Sequence, residues 1–345
     1  MWSHPDFDAH EAVHYFNDEK SGLRAIIAVH STHRGPSSGG VRFWHYASEA
    51  HALTDALRLS RGMSYKNAMA GLPVGGGKGV ILSDGRPKTH SQLHAFGDAI
   101  EAVGGRYVTA EDVGMSEADM STIAQRTAFV SGLPVASGNA GGDPGPVTAL
   151  GVYLGVKAAV TQALGREEMA GVHVAIQGVG SVGGGLARRL AADGARLTLA
   201  DVNGERAQAL GQELGAVVVG TDEIMTVTAD VFSPNALGAI LDEYSIPRLG
   251  AAIVAGGANN QLATAPDAER LHQRGIVYAP DYVINAGGII NVASEYFQLG
   301  DRAHVVSKVH EIPARLREIW ARSKADGLPS ADVADAMARS LIGRG

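Results

Sequence analysis

Two apolar runs, residues 11–16 and Leu23 to His30, flank the polar stretch Asp18-Glu19-Lys20-Ser21-Gly22, a pattern that predicts two strands joined as a hairpin. A polar loop from His33 to Ser38 leads through Gly39-Gly40 into a short strand at Val41 to Trp44. From Ser48 to Met69 the apolar positions Leu53, Leu57 and Met63, interleaved with alanines, predict a helix with Tyr65 and Lys66 near its C-terminal end. A buried strand is expected over 79–82, a helix over 91–103 and a strand over 107–110 that runs into Glu111-Asp112-Val113-Gly114. The glycine- and proline-rich segment 132–146 is the strongest break in the chain. Beyond it the pattern predicts a helix over 147–164, a buried strand over 172–177, a helix over 182–192 and a strand over 195–200 closing at Asp201. The last forty or so residues show the helical period, with Arg and Glu on one face and Ile, Leu, Trp and Met on the other.

Strands alternating with helices imply an α/β fold whose ligands collect at the carboxyl ends of strands, where Asp112 sits. The break divides the chain into an N-terminal α/β substrate-binding and catalytic domain, residues 1–135, and a dinucleotide-binding domain, residues 136–327, with a cleft between them. The final helix, about 328–345, is expected to pack back on the first domain.

With 345 residues, of which 45% are hydrophobic and 19% charged, the chain suits two cores better than one. A formal charge of -7 argues against a nucleic-acid or anionic-membrane partner. Cysteine is absent, which removes disulfides, thiolate metal sites and a cysteine nucleophile together. Asp6, Asp8 and Glu11 stand where a secretory signal would need a basic and then an apolar run, and no stretch reaches the roughly 20 apolar residues of a membrane span. A soluble, cytoplasmic protein is expected.

Chemistry concentrates first between Gly62 and Val80, where Lys66 and Lys78 lie in otherwise uncharged sequence and three glycines directly precede the second. The glycines are read as a tight turn that brings Lys78 to the rim of a cleft. Two ammonium groups at one cavity suit an anionic substrate, and like charge with partial desolvation lowers a lysine pKa toward neutrality. The same stretch also fits a glycine loop with two solvated lysines. Gly178-Val179-Gly180-Ser181-Val182-Gly183 lies between a predicted strand and helix, with Asp201 closing the next strand. Gly178 permits the turn, Gly180 lets backbone approach a pyrophosphate, Gly183 allows close packing, and Asp201 accepts from ribose hydroxyls while repelling a 2'-phosphate, so NAD is favoured over NADP. Ser181 is no hydrolase nucleophile, because Val179 occupies the place of the first glycine of Gly-x-Ser-x-Gly. Ala258-Asn259-Asn260 and Asn285, each following an apolar run, could bond a carboxamide, a ribose or an amine, or could cap turns. His30 and His33 have ligand-like spacing without a surrounding constellation, so no metal is expected.

Together, Gly39-Gly40, Arg61-Gly-Met63-Ser-Tyr-Lys66-Asn, Gly75-Gly-Gly-Lys78, Thr109-Ala-Glu-Asp112-Val-Gly, Pro146-Val-Thr148-Ala, the glycine string, Ala258-Asn259-Asn260-Gln and Tyr278-Ala-Pro-Asp-Tyr-Val-Ile-Asn285-Ala-Gly-Gly resemble the glutamate/leucine/phenylalanine/valine dehydrogenase family, within it the leucine and phenylalanine branch. The resemblance runs from about residue 20 to the C-terminal helix. It implies reversible oxidative deamination of a hydrophobic L-amino acid with hydride transfer to NAD, in a homo-oligomer. Residue by residue it implies that Lys66 binds the α-carboxylate with the backbone at Gly39-Gly40, that Lys78 activates water, and that Asp112 handles the amine proton. Thr148 and Asn259 fall near the nicotinamide and the substrate amine; Met63, Ile289 and Val292 line the side-chain pocket. Aliphatic residues at the last two resemble a branched-chain (leucine or valine) enzyme. Ser38, His33-Arg34 and Met115 depart from that branch, and a smaller, more polar wall would admit an aromatic substrate such as phenylalanine or tryptophan. A remoter reading is an NAD-binding sensor without catalysis; it has no use for Lys66, Lys78 and Asp112.

Overall fold

The computed structural model describes residues 1–134 and 140–345 and divides into two compact units. The first comprises Met1–Gly142, Ile289–Val305 and Met337–Gly345; the second comprises Asp143–Gly288 and Val306–Ala336. Residues 135–139, in the middle of the glycine- and proline-rich break, lie outside the described residues.

The first unit opens with β1 (Ala12–Asp18) and β2 (Leu23–Ser31), followed by β3 (Ser37–Ser38), β4 (Val41–Trp44), α1 (Glu49–Met69), β5 (Gly75–Leu82), α2 (His90–Ala102), β6 (Tyr107–Val108) and α3 (Glu117–Ile123). Its sheet runs β1-β2-β5-β3-β6, with β4 also paired to β5. β1 and β2 form the expected antiparallel hairpin, β5 is antiparallel to β2, and β3 and β4 follow one another parallel to β5. The two-residue period of β2 sorts its side chains. Leu23, Ala25, Ile27 and Val29 join Phe96 and Ile100 of α2, Tyr107 and Met120 on one face, while Ile26 and Ala28 join Ala52 and Ala56 of α1 on the other. α1 starts where Ser48 Oγ accepts from the His51 N–H at 3.3 Å.

Gly75-Gly76-Gly77 corrects the sequence reading. These residues form no turn: they are the first half of β5, buried, and none has positive φ. Glycine is required by close approach instead. A Cβ on Gly75 would stand 1.8 Å from the Ser31 carbonyl oxygen, and one on Gly76 would stand 2.0 Å from the Ser64 backbone nitrogen of α1. Lys78 therefore sits inside a packed strand and not on a rim.

The second unit contains α4 (Gly145–Leu164), β7 (His173–Gln177), α5 (Ser181–Ala192), β8 (Arg196–Ala200), α6 (Gly204–Leu214), β9 (Val217–Val218), β10 (Ala229–Pro234), β11 (Ala251–Val254), α7 (Pro266–Gln273), β12 (Val277–Tyr278) and α8 (Asp281–Ile284). The chain continues through α9 (Gly287–Tyr296), α10 (Arg302–Val309), α11 (Ile312–Asp326) and α12 (Ser330–Leu341). The sheet, ordered β12-β11-β10-β7-β8-β9, is wholly parallel, the doubly wound arrangement of nucleotide-binding domains. α4 is long and apolar enough to cross a membrane by length and composition alone. It is a core helix here: Val152, Val156 and Ala159 are fully buried, and Gly151 and Gly155 let Ile312 of α11 and Ile284 of α8 come close. The run Val283 to Val292 is largely helical: Asn285 ends α8, and Ile289 and Val292 lie on α9.

The last residues of the chain bond to the first unit. Arg344 donates to the carbonyls of Asp8 (2.8 Å) and His30 (2.6 Å), and Arg339 Nη1 donates to the Tyr65 hydroxyl at 3.2 Å. His30 is fully buried, with Nδ1 2.7 Å from Ser64 Oγ, so its ring belongs to this polar core.

Candidate active site

β5 is buried along its length and carries Lys78 into the unit, leaving it 4% exposed. The loop after β6 supplies the partner. Backbone bonds from Val41 N–H to the Ala110 carbonyl (2.8 Å) and from Phe43 N–H to the Val113 carbonyl (3.0 Å) lay residues 110–113 along β4. Gly114 closes this loop with φ +78, and a Cβ there would meet the Phe43 carbonyl oxygen at 2.2 Å. Asp112 Oδ1 accepts from its neighbour's Val113 N–H at 2.7 Å, which turns Oδ2 toward the Lys78 ammonium that donates to it. Burial lowers the Lys78 pKa, and the Asp112 charge only partly offsets that. Burial would raise Asp112, yet Lys78 and then Arg42 outweigh it and hold the carboxyl below the usual range. A buried lysine with a lowered pKa faces a carboxylate held below its usual range.

Of the other expected substrate-site residues, Gly40 lies against Asp112, and Gly39 lies against Gly77 and Met63. A Cβ on Gly39 would lie 1.9 Å from the Gly77 carbonyl oxygen and 3.1 Å from Met63 Cγ; one on Gly40 would lie 3.0 Å from Asp112 Cβ. Tyr107 fixes the Gly39 carbonyl by donating its hydroxyl at 2.7 Å. Met63 and Lys66, three residues apart on α1, share a face and are half-buried. Ser38 is buried in β3 beside Gly76. Ile289 and Val292 are likewise three apart on α9 and half-buried. The departures besides Ser38 have structural partners: the His33 ring packs where a Cβ on Gly343 would stand 2.8 Å away, Arg34 Nε donates to the Leu72 carbonyl at 3.0 Å, and Met115 packs against the core that α2 and α3 share.

The second unit holds the glycine string at the carboxyl end of β7. Gly178 takes φ +85, and a Cβ on Gly183 would meet the Gly178 carbonyl oxygen at 1.9 Å, so both need glycine. Gly180 faces open space apart from Arg206 Nη1, 3.8 Å from where its Cβ would be. α5 begins at Ser181 and Val182 with no side chain capping it, which leaves its first N–H groups for an anion. The Asp201 carboxylate accepts from the N–H groups of Val179 and Asn203, both at 2.8 Å, and so fixes the turn that it borders. Nearby, Asn285 Nδ2 donates to Asn259 Oδ1 at 2.8 Å, while Asn285 Oδ1 is buried without a hydrogen-bond partner among the described residues. Ala258 is buried next to Asn259, and Thr148 Oγ1 donates to the Pro144 carbonyl at 2.9 Å. An open glycine cradle, uncapped helix N–H groups and an orphaned buried amide oxygen fit a dinucleotide with a carboxamide end.

Residues 10–129 match the Glu/Leu/Phe/Val dehydrogenase dimerisation domain, and residues 205–337 match the glutamate/leucine/phenylalanine/valine dehydrogenase domain. The chain belongs to this dehydrogenase family. It is 46% identical to a leucine dehydrogenase of Geobacillus stearothermophilus over 96% of its own length and 90% of that protein's. A valine dehydrogenase of Streptomyces albus is 44% identical, covering 98% of this chain and 94% of the relative. Among solved structures, an L-tryptophan dehydrogenase from Nostoc punctiforme superposes with TM-score 0.87 at 39% identity, covering 97% of this chain and 96% of that one. The family and the fold support binding of NAD.

Sequence reasoning about this dehydrogenase missed Arg42. Its Nε lies 3.6 Å from Asp112 Oδ2, and its Nη1 donates to Asp55 Oδ2 at 2.9 Å. The signal was available: Arg42 is the one charged residue of β4 and stands two positions after Gly40, which directly precedes the strand. Among the described residues, no group of three or more His, Asp or Glu side chains is placed to hold a metal ion.

Proposed function

We infer that the chain catalyses the NAD-dependent, reversible oxidative deamination of a hydrophobic L-amino acid to its 2-oxo acid and ammonia. The single observation that carries this reading is the buried Lys78–Asp112 pair, a lysine with lowered pKa against an ionised carboxylate. Lys66 anchors the α-carboxylate, aided by backbone at Gly39-Gly40. Asp112 takes a proton from the α-ammonium, because only the neutral amine can support loss of hydride from Cα. NAD, when bound, accepts that hydride; Gly178, Gly180, Gly183 and the first turn of α5 at Ser181-Val182 would hold its pyrophosphate, Asp201 its ribose, and Thr148, Ala258, Asn259 and Asn285 its nicotinamide end. The resulting iminium is attacked at Cα by water, whose proton passes to neutral Lys78. Asp112 then returns its proton to the carbinolamine nitrogen, the C–N bond breaks to release ammonia, and the Asp112 carboxylate takes the hydroxyl proton as the carbonyl forms beside the Lys78 ammonium.

Side-chain choice falls to Met63, Ile289, Val292 and Ser38. The aliphatic pair on α9 favours leucine or valine, in keeping with the relatives' names. Ser38 and the likeness to a tryptophan dehydrogenase favour an aromatic substrate as the second reading. The dimerisation-domain match and the sheet-edge position of β1, with Tyr15 exposed, support a homo-oligomer. A cytoplasmic setting suits such an enzyme.

The reverse direction tests the reaction. NADH oxidation with 4-methyl-2-oxopentanoate is expected only when ammonium is supplied, and NADPH is expected to serve poorly because Asp201 repels a 2'-phosphate. Oxidation without ammonium would mean a hydroxy-acid enzyme and would overturn the reading.

A further inference from the structure

Asp112 has two cations competing for one oxygen. The Lys78 ammonium donates to Oδ2, and Arg42 Nε lies 3.6 Å from the same atom, just beyond hydrogen-bonding reach. Arg42 Nε is buried and has no hydrogen-bond partner among the described residues. A buried guanidinium N–H left unpaired is costly, and the Asp112 oxygen 3.6 Å away already accepts from Lys78. The rest of Arg42 is fixed from behind: Nη1 donates to Asp55 Oδ2, which also accepts from the Tyr46 hydroxyl at 2.5 Å. Asp55 belongs to α1, so the helix that carries Met63 and Lys66 also anchors the arginine.

We propose that Arg42 is a positioning residue for the proton transfers: its Nε–H takes over Asp112 Oδ2 whenever Lys78 turns from the carboxylate to the reacting water. This rests on the assignment of Lys78 and Asp112 as the proton-handling pair. Without the arginine, each time Lys78 gave up or redirected its proton a buried carboxylate would lose its partner and would rotate or pick up a proton of its own. With it, Asp112 enters each cycle ionised and stays aimed, gaining only the proton it takes from the substrate amine, and Lys78 is free to leave. Arg42 also works on Lys78 directly, since its charge adds to burial in lowering the lysine's pKa. The other groups around Asp112 do not duplicate this role. Tyr107 on β6 donates to the Gly39 carbonyl, its pKa raised by burial, and Glu111 is exposed and anionic. Lys66, the site's other cation, is committed to the substrate carboxylate in this scheme.

The test uses the full-length enzyme with NAD and L-leucine, comparing wild type, Arg42→Met and Arg42→Lys. Arg42→Met is expected to lower kcat by about 10- to 100-fold, the scale of a misplaced reacting group, with KM for leucine and the affinity for NAD within about threefold of wild type. Removing the cation lets Lys78 hold its proton more tightly, so the acid limb of kcat/KM moves to higher pH. Arg42→Lys keeps the charge but not the planar fork, and is expected to return that limb to its wild-type position while restoring only part of kcat. Should Arg42→Met fail to fold, Arg42→Gln keeps a hydrogen bond to Asp55 without the charge and is expected to behave as Arg42→Met does. A folded Arg42→Met or Arg42→Gln enzyme with wild-type kcat and an unmoved acid limb overturns the proposal, as does a loss of thermal stability without either kinetic change. Lys78→Ala is run beside them. If it retains turnover, the assignment of the pair has failed, and if only the arginine variants are silent, the positioning role alone has failed.

Discussion

Lys78→Ala is expected to lower kcat for L-leucine oxidation by about 10²- to 10⁴-fold, the range that a positioned acid–base group supplies. Alanine leaves nothing to accept the proton of the attacking water or to stabilise the carbinolamine oxygen, and it strands Asp112 with Arg42 as its remaining cation. Asp112→Asn should cost a similar factor for the complementary reason, because an amide cannot take the ammonium proton. The two differ in what survives. In Asp112→Asn the anion that supports the Lys78 ammonium is gone, so burial lowers the lysine's pKa further and the acid limb of the residual activity shifts to lower pH. Affinity for NAD, measured by quenching of protein fluorescence, should be unaffected in both. Turnover within tenfold of wild type in either variant would contradict the assigned roles.

The second large effect concerns the strand that carries the lysine. Gly76→Ala is expected to destabilise the protein by about 3 kcal/mol, the upper end of ordinary overpacking. The new Cβ would fall 2.0 Å from the Ser64 backbone nitrogen and 2.3 Å from Ser64 Oγ, and helix backbone cannot swing aside as a flexible side chain can. Relief requires α1 to lift off β5, which displaces Lys66 two residues further along the helix and lowers activity as well. Gly62→Ala gives the contrast. Gly62 lies within α1, without positive φ and with nothing within 4 Å of its Cβ position, so alanine there should stabilise by about 0.5–1 kcal/mol. Thermal unfolding of the two variants beside wild type decides the matter; equal melting temperatures for Gly76→Ala and wild type would show that the close approach costs nothing.

Those two glycines also show how far the chain could be read before its structure was seen. The hairpin of β1 and β2, the helix α1 and the β7–α5–β8 unit with its glycine string were legible because each rests on local signals: a polar connection between two apolar runs, an apolar period, a turn-forming glycine between strand and helix. Gly75-Gly76-Gly77 was misread as a turn because glycine has two uses. One is conformational, positive φ, and local sequence hints at it, as at Gly178. The other is steric, room for a neighbour, and here the neighbours Ser31, Ser37 and Ser64 are distant in sequence. The same limit hid Arg42, whose place depends on Asp112 and Asp55, and the packing of His33 beside Gly343 and of Arg34 on the Leu72 carbonyl. Lys78 and Asp112 were each singled out from sequence and the fold sets them side by side, but the burial of Lys78, which sets the direction of its pKa, is a property of the folded sheet.

The measurement that tests the account most directly is NADH formation from NAD across L-leucine, L-valine, L-isoleucine, L-phenylalanine, L-tryptophan and L-glutamate, with the matching 2-hydroxy acids as controls. The predicted result is highest kcat/KM for leucine or valine, with glutamate and every hydroxy acid inactive. An aromatic winner would keep the reaction and transfer the pocket's selectivity from Ile289 and Val292 to Ser38. Preference for glutamate or a hydroxy acid, or no NADH from any amino acid by enzyme that binds NAD, would contradict it.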